Sequence, residues 1–230
     1  MGACYTTVMI KMITFDCWNT LFFTETGLGD FAEFAERIGQ DLKDREYMKK
    51  FEFFMMANDD DCEENVKKLL VDLGVDYDER LVEELCETML RSTNSVRAYA
   101  DVELTLGRLS GKYKLGLLSN SRKEAVAELR QRYPLEKYFD IVVLSCECGL
   151  IKPDVRIFKK LVDLSELRPD EILMVGDSYH DDYVAAREAG LESVLLDRRD
   201  RYPEEKDRIR SLEELEGFIE SQEGEDDAKA

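Results

Sequence analysis

Short apolar runs, each closed by a polar residue, recur along the chain. Residues 8–15 form a compact run with β-branched members, broken only by Lys11 and ending at Asp16, which reads as a buried strand with chemistry at its end. Residues 114–118 before Ser119, 141–144, 172–175 before Gly176, and 193–196 before Asp197 repeat the pattern, giving five short buried strands. Helix-period stretches lie between the later strands, at 122–132, 155–164 and 182–189, the last ending at Gly190 as a helix C-cap should. This alternation predicts an α/β fold: a parallel sheet with helices on both faces. Ligands of such open sheets sit beyond the carboxyl ends of the strands. Asp16, Ser119 and Asp177 are therefore expected to meet.

Residues 22–97 break the alternation. Helical periodicity at 30–38, 62–73 and 79–90, without clear strands, reads as a helical insertion that leaves and re-enters the sheet beside Asp16. Its expected job is a lid that excludes water from the site, the alternative being a packing subdomain. Phe51, Phe53, Phe54, Met55 and Met56 read as the apolar core of this insert, more economically than as a dimer surface, and the oligomeric state stays open. Residues 209–219 read as a charged helix, and 222–230 as a disordered acidic tail.

Composition narrows the function. With 230 residues, 44% of them apolar, the chain fills one domain carrying a sizeable insertion. Lys and Arg total 32 against 51 Asp and Glu, a net charge of −19 that repels nucleic acid and anionic lipid. Any anion site must then be made positive locally, by a lysine, a metal ion or backbone donors. The six cysteines lack the spacing of a disulfide framework or a zinc site, so a reduced, cytoplasmic protein is expected. Cys146 and Cys148 fall on one face of an extended segment in this reading, as ordinary packing residues. No apolar stretch approaches the roughly 20 residues of a membrane span. Met1 to Thr6 matches a loose myristoylation pattern, which a ragged start before the first strand also explains.

Four segments carry candidate chemistry. Asp16-Cys17-Trp18-Asn19-Thr20 offers a strand-end carboxylate or a simple turn cap, with Asn19 suited to a positive φ. Ser119 and Asn120 offer a hydroxyl and main-chain donors to an anion, and Ser119 or Ser121 could equally cap the next helix. Lys152 precedes Pro153, which extends the backbone, and Asp154, a helix cap, so a single lysine is directed to where positive charge is needed. Gly176-Asp177-Ser178-Tyr179-His180-Asp181-Asp182 gathers hard oxygens suited to Mg²⁺, with His180 read as a surface residue.

In this order, the four segments closely resemble the haloacid dehalogenase superfamily with a helical C1-type cap. The resemblance implies a Rossmann-like core of residues 8–21 and 98–221 and a cap of residues 22–97. It implies that Asp16 is the nucleophile, Thr20 a loop support, Ser119 and Asn120 substrate-binding, and Lys152 the charge partner of the transferred group. Mg²⁺ would be held by Asp16, Asp177, Asp182 and the Trp18 main-chain carbonyl. Asp181 competes with Asp182 for its place, Asp182 being favoured because Ala186 and Gly190 follow at the family's spacing. Phosphatases of the family carry a second Asp two residues after the nucleophile, as general acid and base, and here that position is Trp18. A missing acid–base costs about 10²–10⁴ in rate, although the metal site, which uses only the carbonyl, can survive. The resemblance thus implies a Mg²⁺-dependent phosphatase of a small phosphorylated metabolite whose acid comes from elsewhere, such as the cap or water, or whose substrate has a good leaving group. A 2-haloacid dehalogenase and a non-catalytic phospho-ligand or partner-binding protein stand behind it.

Overall fold

A computed structural model describes residues 9–227, so the start of the first apolar run and the Met1–Thr6 pattern lie outside the described residues. The strands are β1 (Met12–Phe15), β2 (Phe22–Thr24), β3 (Val96–Ala98), β4 (Lys114–Ser119), β5 (Ile141–Leu144), β6 (Ile172–Gly176), β7 (Glu192–Leu196) and β8 (Arg208–Ile209). Six of them form one parallel sheet in the order β5-β4-β1-β6-β7-β8. β1 sits in the interior of the sheet and is buried along its whole length.

Side chains alternate across this sheet with the period of two that a strand imposes. Ile13, Phe15, Leu115, Leu117, Leu173 and Val175 join the core on one face. Met12, Leu118, Ile172 and Met174 join the core on the other. Burial on both faces is why the strands read as continuous apolar runs.

The helices are α1 (Gly29–Arg37), α2 (Arg45–Met56), α3 (Cys62–Leu73), α4 (Glu79–Asn94), α5 (Val102–Leu109), α6 (Lys123–Arg132), α7 (Leu135–Tyr138), α8 (Ser145–Cys148), α9 (Val155–Ser165), α10 (Ala185–Glu188) and α11 (Leu215–Asp227). The first face is covered by α5, α6 and α11, and the second by α9 and α10. No helix among the described residues is long and apolar enough to cross a membrane.

Helices α1–α4 form the insert, with a core of its own that includes Phe34, Tyr47, Phe51, Leu69, Leu85 and Met89. The side chains of Asp44, Asp61 and Asp78 accept hydrogen bonds from the first amides of α2, α3 and α4, which fixes where each begins. The Phe51–Met56 row divides by helical phase. Phe51 and Met55 are buried, Phe54 and Met56 half-buried, and Phe53 is exposed. The two stems of the insert pair as an antiparallel ribbon, β2 with β3. Buried Arg122, at the start of α6, donates through one nitrogen to the Met89 carbonyl (3.0 Å), Ser92 Oγ (3.2 Å) and Thr93 Oγ1 (3.0 Å), tying the end of α4 to the core.

Four segments differ from the sequence reading. Cys146 and Cys148 lie in the short helix α8 rather than an extended segment, because the strand ends at Leu144 and the chain curls at once; both thiols are free. Residues 179–184 form a wide helical turn ahead of α10, so the helical segment starts before Asp182; it ends at Gly190, whose φ is +87°. Ile209 belongs to β8, and a turn at Leu212–Glu214 precedes α11. That helix then runs to Asp227, continuing into the residues read as a tail, since nothing in their Glu-rich sequence stops it as a proline would.

Candidate active site

Register decides what stands at the end of the sheet. Phe15 pairs with Leu117 on β4 and Val175 on β6, so the next residues, Asp16, Leu118 and Gly176, lie level. The Asp16 amide continues the ladder to the Val175 carbonyl at 2.9 Å. The chain then curls: the Cys17 carbonyl accepts from the amides of Leu21 (3.0 Å) and Phe22 (2.9 Å), and Asn19 takes φ +60° at the bend, the positive φ its sequence position suggested. Thr20 is carried inward by this curl, and its Oγ1 accepts from the Asp177 amide at 3.1 Å. The loops after β1 and β6 are thereby joined.

Lys152 is the hinge of the charge arrangement. Its ammonium, buried, donates to Asp16 Oδ1 at 2.7 Å and Asp182 Oδ1 at 2.5 Å. Asn120 holds its backbone from both sides, donating from Nδ2 to the Lys152 carbonyl (2.9 Å) and accepting the Lys152 amide on Oδ1 (2.8 Å). Asp154 caps α9 through the Arg156 amide. The segment is fixed at both ends, so the lysine has one direction to point.

Asp16, Asp177 and Asp182 each bring a carboxylate oxygen within 4.8 Å of the others. Asp182 is steadied by the Ser178 amide at 3.0 Å. Asp181 turns away to the Ser178 hydroxyl at 3.0 Å. A side-chain carbon at Gly176 would collide with the Asp182 carboxylate, so the residue must lack one for this packing to exist. His180 is exposed and stands edge-on to Tyr179, outside the cluster.

The electrostatics record a shortage of positive charge. Burial, and then the Asp16 charge, push Asp177 up to about 6, against Arg201. Burial and Asp16 together carry Asp182 up to about 7, despite the opposing pull of Lys152. Burial by itself would lower the Lys152 pKa, but the charges and hydrogen bonds of Asp16 and Asp182 outweigh it, so the ammonium stays charged. Three clustered carboxylates around one buried ammonium form a hard-oxygen donor set suited to a divalent cation.

Ser119 is fully buried, and its hydroxyl lies 2.9 Å from that of Ser121, which in turn accepts the Trp18 indole N–H at 2.9 Å. Neither serine caps α6, whose first turn has no side-chain cap. Two contributors escaped the sequence reading. In sequence Ser121 offers only a helix cap. Arg201, beyond β7, reaches the Asp177 carbonyl (3.0 Å) and carboxylate (3.2 Å) from a loop with no motif.

Comparison with known proteins agrees with this architecture. The haloacid dehalogenase-like hydrolase family model matches residues 10–190. Phosphoserine phosphatase of Thermus thermophilus is 31% identical over 139 residues, which cover 59% of this chain and 56% of that protein. The matches span between 34% and 57% of the length of the curated relatives. Among solved structures, 2-haloacid dehalogenase of Pseudomonas syringae superposes with TM-score 0.65 at 22% identity, covering 93% of this chain and 99% of that one. The HAD-hydrolase YfnB of Bacillus subtilis, solved bound to magnesium, gives 0.60 at 17% identity over 92% and 99%. With a parallel sheet that gathers three aspartates and a lysine at its carboxyl end, and a family match over most of its length, this chain belongs to the haloacid dehalogenase-like hydrolases.

Proposed function

We propose that the protein is a phosphatase of a small phosphorylated metabolite, with Asp16 as nucleophile and Mg²⁺ as its cofactor. The observation that carries this reading is the buried Lys152 ammonium shared between Asp16 and Asp182 inside a three-carboxylate cluster. In this reading Asp16, Asp177, Asp182 and the Trp18 main-chain carbonyl hold the metal. When bound, Mg²⁺ supplies charge stabilisation to the transferring phosphoryl group.

The remaining chemistry belongs to the chain. Asp16 attacks phosphorus in line, forming an aspartyl-phosphate as the ester oxygen departs. Lys152 offsets the charge on the transferring group, and Asn120 keeps its backbone in place. Ser119 donates its hydroxyl to a phosphoryl oxygen, and Thr20 supports the Asp177 loop. The name of the Thermus relative supports phosphate ester chemistry. A dehalogenase reading stands behind, because a halide displacement has no use for the carboxylate that Asp177 adds to the cluster.

Wild type and Asp16→Asn are to be assayed with an aryl phosphate and a 2-haloacid, each with Mg²⁺ and with chelator. Metal-dependent phosphate release that disappears in Asp16→Asn is expected. Halide release that survives chelation would sink the proposal.

A further inference from the structure

A tryptophan indole donates a hydrogen bond and cannot accept one, whereas a serine hydroxyl does both. That asymmetry sets a direction at the end of β4. The Trp18 indole N–H donates to Ser121 Oγ at 2.9 Å, and Ser121 Oγ lies 2.9 Å from Ser119 Oγ. Both serines are buried, so each hydroxyl hydrogen has to find its acceptor among these neighbours.

Two arrangements fit the distances. If Ser119 donated to Ser121, the Ser121 oxygen would accept twice and its own hydrogen would have no acceptor among the described residues. A buried donor left unpaired costs more than one hydrogen bond gains. If Ser121 instead donates to Ser119, the indole hydrogen and the Ser121 hydrogen both have partners. The chain of hydrogen bonds therefore runs from Trp18 through Ser121 to Ser119.

The surroundings leave it no way to run back. Ser145 Oγ is taken by the Ser121 backbone, accepting from its amide at 2.9 Å and donating to its carbonyl at 3.3 Å. The Asn120 side chain is committed to the Lys152 backbone. For the Ser119 hydrogen there remain the Asn120 carbonyl at 3.4 Å, beyond the usual range of an O–H donor, and the Cys17 thiol, a weak acceptor. A hydroxyl that accepts from one side and holds its own hydrogen so loosely is a ready donor to an incoming oxygen, and hydrogen bonds in a chain strengthen one another.

Leu117 pairs with Phe15, so Ser119, two residues on, stands beside the turn that follows Asp16. Resting on the phosphatase reading, we propose that Trp18 is a positioning residue, acting through Ser121 to hold the Ser119 hydroxyl as a donor to the phosphoryl oxygen. An acceptor at position 18, such as a carboxylate, would draw the Ser121 hydrogen to itself and reverse the chain. The Ser119 hydrogen would then turn to Ser121 and away from the substrate. The indole supplies a polarity that the acidic residue usual at this position does not.

Trp18 is the single tryptophan, so its indole N–H gives one resonance by NMR. In Mg²⁺, orthovanadate, a mimic of the phosphoryl group, should move that resonance downfield in wild type, and Ser119→Ala or Ser121→Ala should abolish the movement. A shift of wild-type size in either variant would overturn the proposal. Hydrolysis of p-nitrophenyl phosphate gives an independent readout. Ser119→Ala should lower kcat by about 10²–10³-fold, as loss of one donor to a developing anion does. Ser121→Ala and Trp18→Phe should each lower kcat by about three- to tenfold, as loss of one neutral hydrogen bond does, with the half-saturating Mg²⁺ concentration unchanged. Neither should lower kcat further in a Ser119→Ala background. Should Trp18→Phe fold poorly, Ser121→Ala cuts the same chain one link further on. Losses that add to that of Ser119→Ala, or no loss in Ser119→Ala or Ser121→Ala, would overturn the role of Trp18 while leaving the phosphatase reading intact. A wild type that releases no phosphate would overturn that reading and this role together.

Discussion

Replacing Lys152 with Met keeps an apolar stem of similar length and deletes the ammonium that joins Asp16 to Asp182. Lysine and both aspartates are almost wholly buried, so solvent does not screen the loss, and removing one partner of a buried ion pair costs about 3–5 kcal/mol. The cost depends on pH in a direction the site dictates. The Asp182 carboxyl already sits up near 7 in the folded protein, against about 3.9 in an unfolded chain. A carboxyl raised in this way binds its proton more tightly when folded, so stability falls as pH rises through the window from about 4 to about 7. Removing Lys152 raises Asp182 further and deepens that fall. Lys152→Met should therefore be most destabilised at pH 8 and much less so at pH 5. Mg²⁺ should restore part of the loss at pH 8, since a ligand at a hundredfold excess over its Kd stabilises by about 2.7 kcal/mol. Urea unfolding followed through Trp18, the single tryptophan, reports on the domain that holds the site. A deficit below about 1 kcal/mol at pH 8, or one of equal size at pH 5, would refute the electrostatic account of the cluster.

Because Asp177 and Asp182 sit up at about 6 and 7 without metal, a cation must displace protons, so apparent Mg²⁺ affinity by calorimetry should climb from pH 5 to pH 8 and then level off. An affinity flat across that range would remove these two groups from the metal site. Arg122→Ala deletes the three hydrogen bonds that tie α4 to the core. It should cost at least about 2 kcal/mol by denaturant unfolding and speed amide exchange at Ser92 and Thr93; a loss under about 0.5 kcal/mol would mean the clamp is not holding the cap.

What the chain revealed in advance follows from the length of each signal. The five longer strands of the sheet are four to six residues long and buried on both faces, so they stand out as apolar runs, and their polar terminators point to Asp16, Ser119 and Asp177. β2, β3 and β8 have three, three and two residues, too few for any periodicity, and their pairing depends on neighbours distant in sequence. Lys152 was legible because Pro153 and Asp154 isolate it. Arg201 was not, being one of several arginines in a charged loop, and only the fold brings it to Asp177. Helix α2 carries apolar residues on too many faces to show a clean stripe, since Phe53 and Phe54 add to the buried Phe51 and Met55.

Trp18 looks in sequence like a defect in an otherwise complete site. In the fold it has a partner: its indole N–H goes to Ser121, whose hydroxyl meets that of Ser119 and whose amide is held by Ser145 Oγ at 2.9 Å. The tryptophan thus links the loop that follows β1 to the loop that follows β4, as Thr20 links it to the loop that follows β6. An aspartate at position 18 could accept a hydrogen bond from Ser121, but it would also add a fourth carboxylate beside three that already lack countercharge. With −19 overall and one buried ammonium at its centre, this site is better served by a neutral indole at that position.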